Sequence, residues 1–186
     1  MQTLTTPRLT LRQWCAADLA PFAALNADPK VMELMPALLT RAQSDAFAAS
    51  AAAELTRRGW GLWAVAERAS DAFVGCVGLN VPSFRAHFTP CVEILWRLAA
   101  PHWGKGFATE AARACLALGF GTLGLEEVVA FTVPENARSL AVMRRLGMTQ
   151  DAGGDFEHPR LASGHRLSRH VLFRLTRGAW RAAEKL

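Results

Sequence analysis

Apolar residues recur along the chain in two rhythms. Over Arg8–Gln13 they alternate with charged or polar residues, which is the period of a half-buried strand. Over Ala16–Asn26 the pattern is helical, with Asp18 in the first turn and Asp28-Pro29 as the stop. Thr40 is placed to cap a long, Ala-rich helix over Arg41–Arg58, closed by Gly59. Leu62–Glu67 and Phe73–Val81 are apolar runs parted by Arg-Ala-Ser-Asp, a hairpin signal, and Cys91–Leu98 predicts another strand. Gly106–Phe120 reads as a helix, with Gly119, Gly121 and Gly124 punctuating its end. Glu127–Thr132 predicts a strand, Ala137–Leu146 a helix with Gly147 as its cap, and His170–Leu175 a last strand.

Hairpins followed by βαβ units predict an α+β chain built on a mixed sheet with helices on both faces. The length of 186 residues and an apolar fraction of 51% suit one folded domain over 1–186. The formal charge of +5 gathers at the end: from Arg160 onward there are six Arg and one Lys against Glu184. Such a region serves an acidic or phosphorylated ligand, nucleic acid, or only a solvated face. With no aromatic-interleaved RNA motif and no zinc-finger spacing, the solvated face is the expectation and a nucleic-acid partner is not. Cys15, Cys76, Cys91 and Cys115 form no CxxC pair and have apolar neighbours. They are expected to be buried small hydrophobes, with no disulfide framework and no metal site. No secretory pattern opens the chain and no run of 18 apolar residues occurs, so no membrane partner is expected and the cytoplasm is the default location.

Chemistry concentrates at two strand-to-helix junctions. In the first, Trp96-Arg97-Leu98 ends a strand, Pro101 breaks it, and Trp103-Gly104-Lys105-Gly106-Phe107-Ala108-Thr109 opens a helix. Small residues let a backbone approach a ligand, and the unpaired N–H groups and dipole of a helix start attract an anion. Lys105 adds a cation and Thr109 a hydroxyl. The turn lacks the third glycine of the dinucleotide fingerprint and the Gly-Lys-Ser/Thr ending of a P-loop. The bland alternative is a tight structural turn. In the second junction, Thr132-Val133-Pro134-Glu135-Asn136-Ala137-Arg138-Ser139, Asn136 is a natural helix cap with Ser139 three residues on. It is either a helix start alone, or a place where Asn136 bonds a ligand amide and Ser139 faces a reacting atom.

Together these segments resemble the GCN5-related N-acetyltransferase (GNAT) superfamily, and within it the branch of RimJ/RimL-like ribosomal-protein N-terminal acetyltransferases. The likeness is carried by Thr6-Pro7-Arg8-Leu9 with Leu11-Arg12, Val92-Glu93-Ile94 with Trp96, Trp103–Ala111, Pro134-Glu135-Asn136 with Ser139, and Leu146-Gly147-Met148. The resemblance implies a central, mostly antiparallel mixed sheet flanked by helices, and acetyl-coenzyme A as cosubstrate without a metal. It implies pyrophosphate on Trp103–Thr109, and the pantetheine arm beside the strand ending at Trp96–Leu98 and near Asn136. The acceptor it implies is an amine, on a small molecule or a protein N-terminus, and the chain would be a monomer or homodimer. Many relatives use a Tyr to protonate the leaving thiolate. This chain has no Tyr, and Ser139 stands where the ribosomal branch uses a serine.

An amine attacks a thioester only when neutral, so a base or a water chain must take its proton. Glu93 is the only acid of a strand that is apolar but for Arg97 and is the candidate base; the alternative is an outward or ion-paired Glu. Ser139 and water are rival acids, and backbone N–H groups near Leu98 are the candidate oxyanion donors. His158, before Pro159, is either catalytic or a turn residue. The segment Asp151–His170, rich in Gly and Pro and mixing Asp155, Glu157 and Phe156, is the expected acceptor loop. A non-catalytic acyl-CoA sensor of the same fold is the competing function.

Overall fold

Alternation at the start of the chain becomes strand pairing. The structure, a computed structural model, describes residues 2–183; Glu184 and Lys185, counted above in the basic end, lie outside them. The chain divides into two compact units, one holding the residues up to Leu79 with Leu95–Cys115, the other Asn80–Ile94 with the residues from Leu116 on.

In the first unit, β1 (Leu4–Thr5) and β2 (Leu9–Arg12) lead into α1 (Ala16–Ala27), α2 (Pro29–Met32) and α3 (Arg41–Arg58), followed by β3 (Leu62–Glu67) and β4 (Phe73–Asn80). The four strands pair antiparallel in that order, with Leu11 opposite Val65 and Val65 opposite Gly75. Leu9 and Leu11 point into the core while Thr10 and Arg12 remain half-buried, the period of two that the sequence shows. Leu9, Leu11, Phe22, Leu55, Trp63 and Val65 are fully buried. Trp14 meets Phe22 edge-on at 4.8 Å, and its Nε1 donates to the Leu62 carbonyl at 2.8 Å, so its polar tip is satisfied. Thr40 and Gln43 form a reciprocal capping box on α3, and Gly59 ends that helix in the left-handed region.

Two buried polar groups tie this unit together. Arg12 clamps Asp18 with bonds of 2.7 and 2.9 Å. Burial alone would push that carboxyl up, but the guanidinium and the Cys15 amide hold it below the usual carboxylate range. Fully buried Asn26 donates to Ser44 Oγ at 2.9 Å and accepts from Arg97 Nη1 at 2.7 Å. Arg97 belongs to β5 (Glu93–Leu98), which begins in the second unit and finishes in the first. Next in the chain is α4 (Phe107–Ala117), which continues into a wider π-type turn over Leu118–Thr122.

In the second unit β6 (Glu127–Thr132) pairs with β5 in parallel at Val129 and Glu93. After α5 (Ala137–Arg145) come β7 (Thr149–Gln150) and β8 (Phe156–Glu157), both antiparallel to β9 (Arg169–Thr176), which also pairs along β6. The closing helix α6 (Arg177–Ala183) sets Trp180 against Phe120 at 5.8 Å. Much of the basic end is neutralised locally. Arg174 bridges Asp151 and Glu127, each at 2.7 Å; Arg169 meets Asp155 at 2.9 Å, and Arg177 meets Glu126 at 2.9 Å.

The chain is therefore mixed α+β, with nine mostly antiparallel strands and six α-helices among the described residues. Each long element stands within a few residues of its expected place. The sequence reading omits β1, α2, β7, β8 and α6 and runs Gly106–Phe120 as one helix, where the backbone widens after Ala117. The cysteine expectation needs correction: Cys76 and Cys115 are buried, but Cys91 is half-buried and Cys15 is exposed. Cys15 sits at the cap of α1, outside the helical stripe that its apolar neighbours suggest. Among the described residues no helix is long and apolar enough to cross a membrane.

Gly78 packs against the backbone of the neighbouring strand, where a Cβ would lie 2.7 Å from Leu62 Cα and closer still to the Gly61 carbonyl oxygen. No side-chain rotation relieves a backbone clash. Gly78→Ala is expected to lower unfolding free energy by about 2–3 kcal/mol in chemical denaturation, whereas Gly121→Ala, with no neighbour within 4 Å of the added carbon, should change it far less.

Candidate functional site

The first junction is built by glycine backbone. After β5 a single 3-10 turn spans Ala100–His102, and the Trp103 indole N–H reaches back to the Leu98 carbonyl at 2.8 Å. Gly104 and Gly106 both adopt left-handed φ, +74° and +81°, which other residues enter at a penalty. A side chain at Gly104 would meet nothing within 4 Å, so backbone conformation and not packing demands glycine there. Phe107, the first residue of α4, is buried and anchors the helix start, while Ala108 and Thr109 are half-buried and Gly104, Lys105 and Gly106 are exposed. Nδ1 of His102 is a buried nitrogen without a hydrogen-bond partner among the described residues. Burial first, then the Lys105 charge, holds this imidazole below its ordinary range. The turn is exposed and carries Lys105, with nothing within 4 Å of Gly104 and the Arg8 guanidinium beside Gly106, a cationic setting that suits an anionic group.

Beneath the turn lies an arrangement that the sequence motifs contain without revealing. Glu110 accepts from Thr6 Oγ1 at 2.6 Å, from the Arg8 backbone N–H at 2.9 Å and from Arg8 Nε at 2.7 Å. The Arg8 guanidinium also lies over the Phe107 ring at 4.7 Å. Thr6-Pro7-Arg8 and Glu110 stand in separate motifs, and their pairing emerges only on folding.

The second junction behaves as a helix start. Asn136 caps α5 by accepting from the Ser139 backbone N–H at 3.2 Å, and its Nδ2 donates to Thr132 Oγ1 at 2.9 Å. An amide nitrogen has a second N–H to offer. Ser139 is half-buried in the first turn of α5. Glu93 is buried, at 9% exposure, which excludes an outward-facing side chain. Its Oε1 accepts from Asn80 Nδ2 at 2.6 Å. Burial is the main influence and pushes the carboxyl up to about 7, against the pull of the Asn80 hydrogen bond and the Arg160 charge. A carboxyl held neutral by the fold and ionised in the unfolded chain makes stability pH-dependent. The contribution is fully present below the usual carboxylate range and is lost as pH rises to and through about 7.

Trp96, Leu98 and the turn 103–109 thus belong to the first unit, and Glu93, Asn136 and Ser139 to the second. Trp96 is half-buried and Leu98 is buried. His158 accepts from the Arg160 backbone N–H through Nδ1 at 3.3 Å, as a turn residue does, and it also joins a cluster of rings. Asn80 and Arg160 are the residues that sequence reasoning misses, since each meets its partner across a loop.

Residues 8–149 match the acetyltransferase (GNAT) domain family. The uncharacterized protein YkkB of Bacillus subtilis is 33% identical over 146 residues, covering 78% of this chain and 84% of that protein. An acetyltransferase structure from Agrobacterium tumefaciens superposes with a TM-score of 0.74 at 26% identity, covering 94% of each chain. RimL, a ribosomal L7/L12 alpha-N-protein acetyltransferase solved with coenzyme A, has the same fold at a TM-score of 0.73 and 14% identity, covering 94% of this chain and 98% of that one. With the family match running from Arg8 to Thr149, through both junctions and Glu93, the chain belongs to the GNAT family of N-acetyltransferases.

Proposed function

We propose that the protein transfers the acetyl group of acetyl-coenzyme A directly to a primary amine, with Glu93 as base and Ser139 as acid. The observation that carries this reading is a buried carboxyl with a pKa of about 7, held by Asn80. Such a group can take a proton near neutrality, where an ordinary Glu is a poor base. The turn Trp103–Thr109 holds the pyrophosphate through backbone N–H groups, with Gly104 and Gly106 permitting close approach and Lys105 adding charge. Trp96, Leu98 and Asn136 hold the pantetheine arm. The bound cosubstrate supplies an activated thioester. Glu93 removes the proton that the amine loses on attack, backbone N–H groups near Leu98 hold the oxyanion, and the Ser139 hydroxyl protonates the departing sulfur and is restored from water. The likeness to the RimJ/RimL branch is carried by the five sequence segments and the serine at 139, and it leaves a small amine and a protein N-terminus both open as acceptors.

Three variants test the assignment. Gly106→Val should weaken coenzyme A binding by about tenfold or more in calorimetry while the protein stays folded; unchanged affinity moves the phosphate site elsewhere. Glu93→Gln should remove the ascending limb near pH 7 from the rate profile. It should also raise stability on the order of 3 kcal/mol at pH 8 and scarcely at pH 4, because Gln has no charge to lose. A retained limb would assign it to the amine itself. Ser139→Ala should lower kcat more than it raises KM for acetyl-coenzyme A, since thiolate protonation matters in the transition state; a purely structural Ser139 would lower melting temperature and spare kcat.

A further inference from the structure

The second unit holds a group of side chains that the acetyl-transfer chemistry leaves unused. Phe84, Phe131, Phe156, His158 and His170 form a continuous ring cluster, with centroids 4.8 Å apart for Phe84–His158, 5.5 Å for Phe131–Phe156, 5.5 Å for Phe156–His170 and 5.0 Å for His158–His170. Phe88 is buried within it, 4.8 Å from Phe156, while the other five remain partly exposed. Strand register places the cluster on the Glu93 side. Glu93 is opposite Val129, so both side chains leave the sheet on one face. Phe131 lies two residues along β6, Leu172 lies opposite Phe131, and His170 lies two residues before Leu172, all on that face.

Charge adds a second constraint. Burial above all holds His158 and His170 below the ordinary histidine range, which disfavours charge on the rings. Asp155, on the same segment, is engaged by Arg169. Arg160 is exposed, donates through Nη2 to Ser83 Oγ, and its charge reaches Glu93. Held at Ser83, next to Phe84, and two residues from His158, this guanidinium stands at the rim of the ring cluster, where it favours a carboxylate, which it can bind through paired N–H donors.

We propose that this ring face and Arg160 recognise the acceptor as a free α-amino acid with an aromatic side chain. The rings take the side chain and Arg160 takes the α-carboxylate, which leaves the α-amine at Glu93. A protein N-terminus lacks that carboxylate, so the site selects a small molecule. The placement of the amine rests on the acetyltransferase reading; recognition of ring and carboxylate does not.

Calorimetry on the full chain saturated with coenzyme A separates the two. L-phenylalanine should bind about tenfold or more tightly than either L-phenylalaninamide, which lacks the carboxylate, or L-alanine, which lacks the ring. Arg160→Gln should bring phenylalanine to the affinity of its amide. Equal affinities across the three ligands, or a carboxylate preference that survives in Arg160→Gln, would overturn the proposal. Acetyl transfer from acetyl-coenzyme A is followed in parallel by mass. Selective phenylalanine binding with no acetylated product supports the recognition site and overturns the acetyltransferase reading. Equal kcat/KM for phenylalanine and its amide keeps that reading and overturns the site.

Discussion

Glu110 accepts three hydrogen bonds from a turn of chain more than a hundred residues earlier, and the first unit is organised around that meeting. The carboxylate has 15% of its side chain exposed. Burial would push its pKa up, and the Thr6 and Arg8 donors outweigh that and keep it ionised. Its negative charge stands in the first turn of α4, where a helix favours an anion. Arg8, fixed from one side by Glu110, lies over Phe107 on the other, with its guanidinium 3.5 Å from where a Gly106 side chain would start. The glycine turn is therefore held from beneath by charge and from within by its own dihedral angles. A loop ordered in this way would not have to be ordered again by a ligand.

A similar logic fixes β5. An arginine in a short strand between apolar neighbours needs a polar destination, and Arg97 finds it in Asn26, which Ser44 holds in turn. The cation also lies 5.5 Å from the Phe47 ring centroid. One side chain thus joins a strand to two helices of the same unit. At the strand's other end Glu93 plays the opposite part: it is buried, and a neutral amide, that of Asn80, is its hydrogen-bond partner. The first arrangement keeps a charge in place, and the second disfavours one.

What was legible in the sequence is what local rules determine. The Thr40 and Asn136 caps, the Gly59 and Gly147 stops and the left-handed glycines of the turn each answer to backbone geometry within a few residues. The long elements carry enough repeats of their period to be recognised. Strands of two residues, such as β1, β7 and β8, are too short for alternation to register, and α2 is a single turn beyond Pro29. The chain passes from β9 to α6 at Thr176–Arg177 without a breaker, so the boundary leaves no mark. Glu93 was legible as an acid among apolar residues, but its partner Asn80 lies across a loop of no period. The ring cluster brings Phe84 and Phe131 to Phe156, His158 and His170 of the later segment, and no spacing rule gathers the three stretches. The basic end was legible as composition alone; its pairing with Asp151, Glu126, Glu127 and Asp155 belongs to tertiary structure.

The uneven burial of the four cysteines has a practical side. Burial pushes the thiols of Cys76 and Cys91 up to about 11 and that of Cys115 higher, so all three resist electrophiles at neutral pH. Cys15 is exposed at the cap of α1. A colorimetric assay that traps the liberated coenzyme A thiol with an aromatic disulfide would meet Cys15 before any turnover, giving an initial burst of about one equivalent per chain. The same accessibility makes Cys15 a natural attachment point for a single fluorophore or for immobilisation, on an element whose buried face is already committed to Arg12 and Asp18.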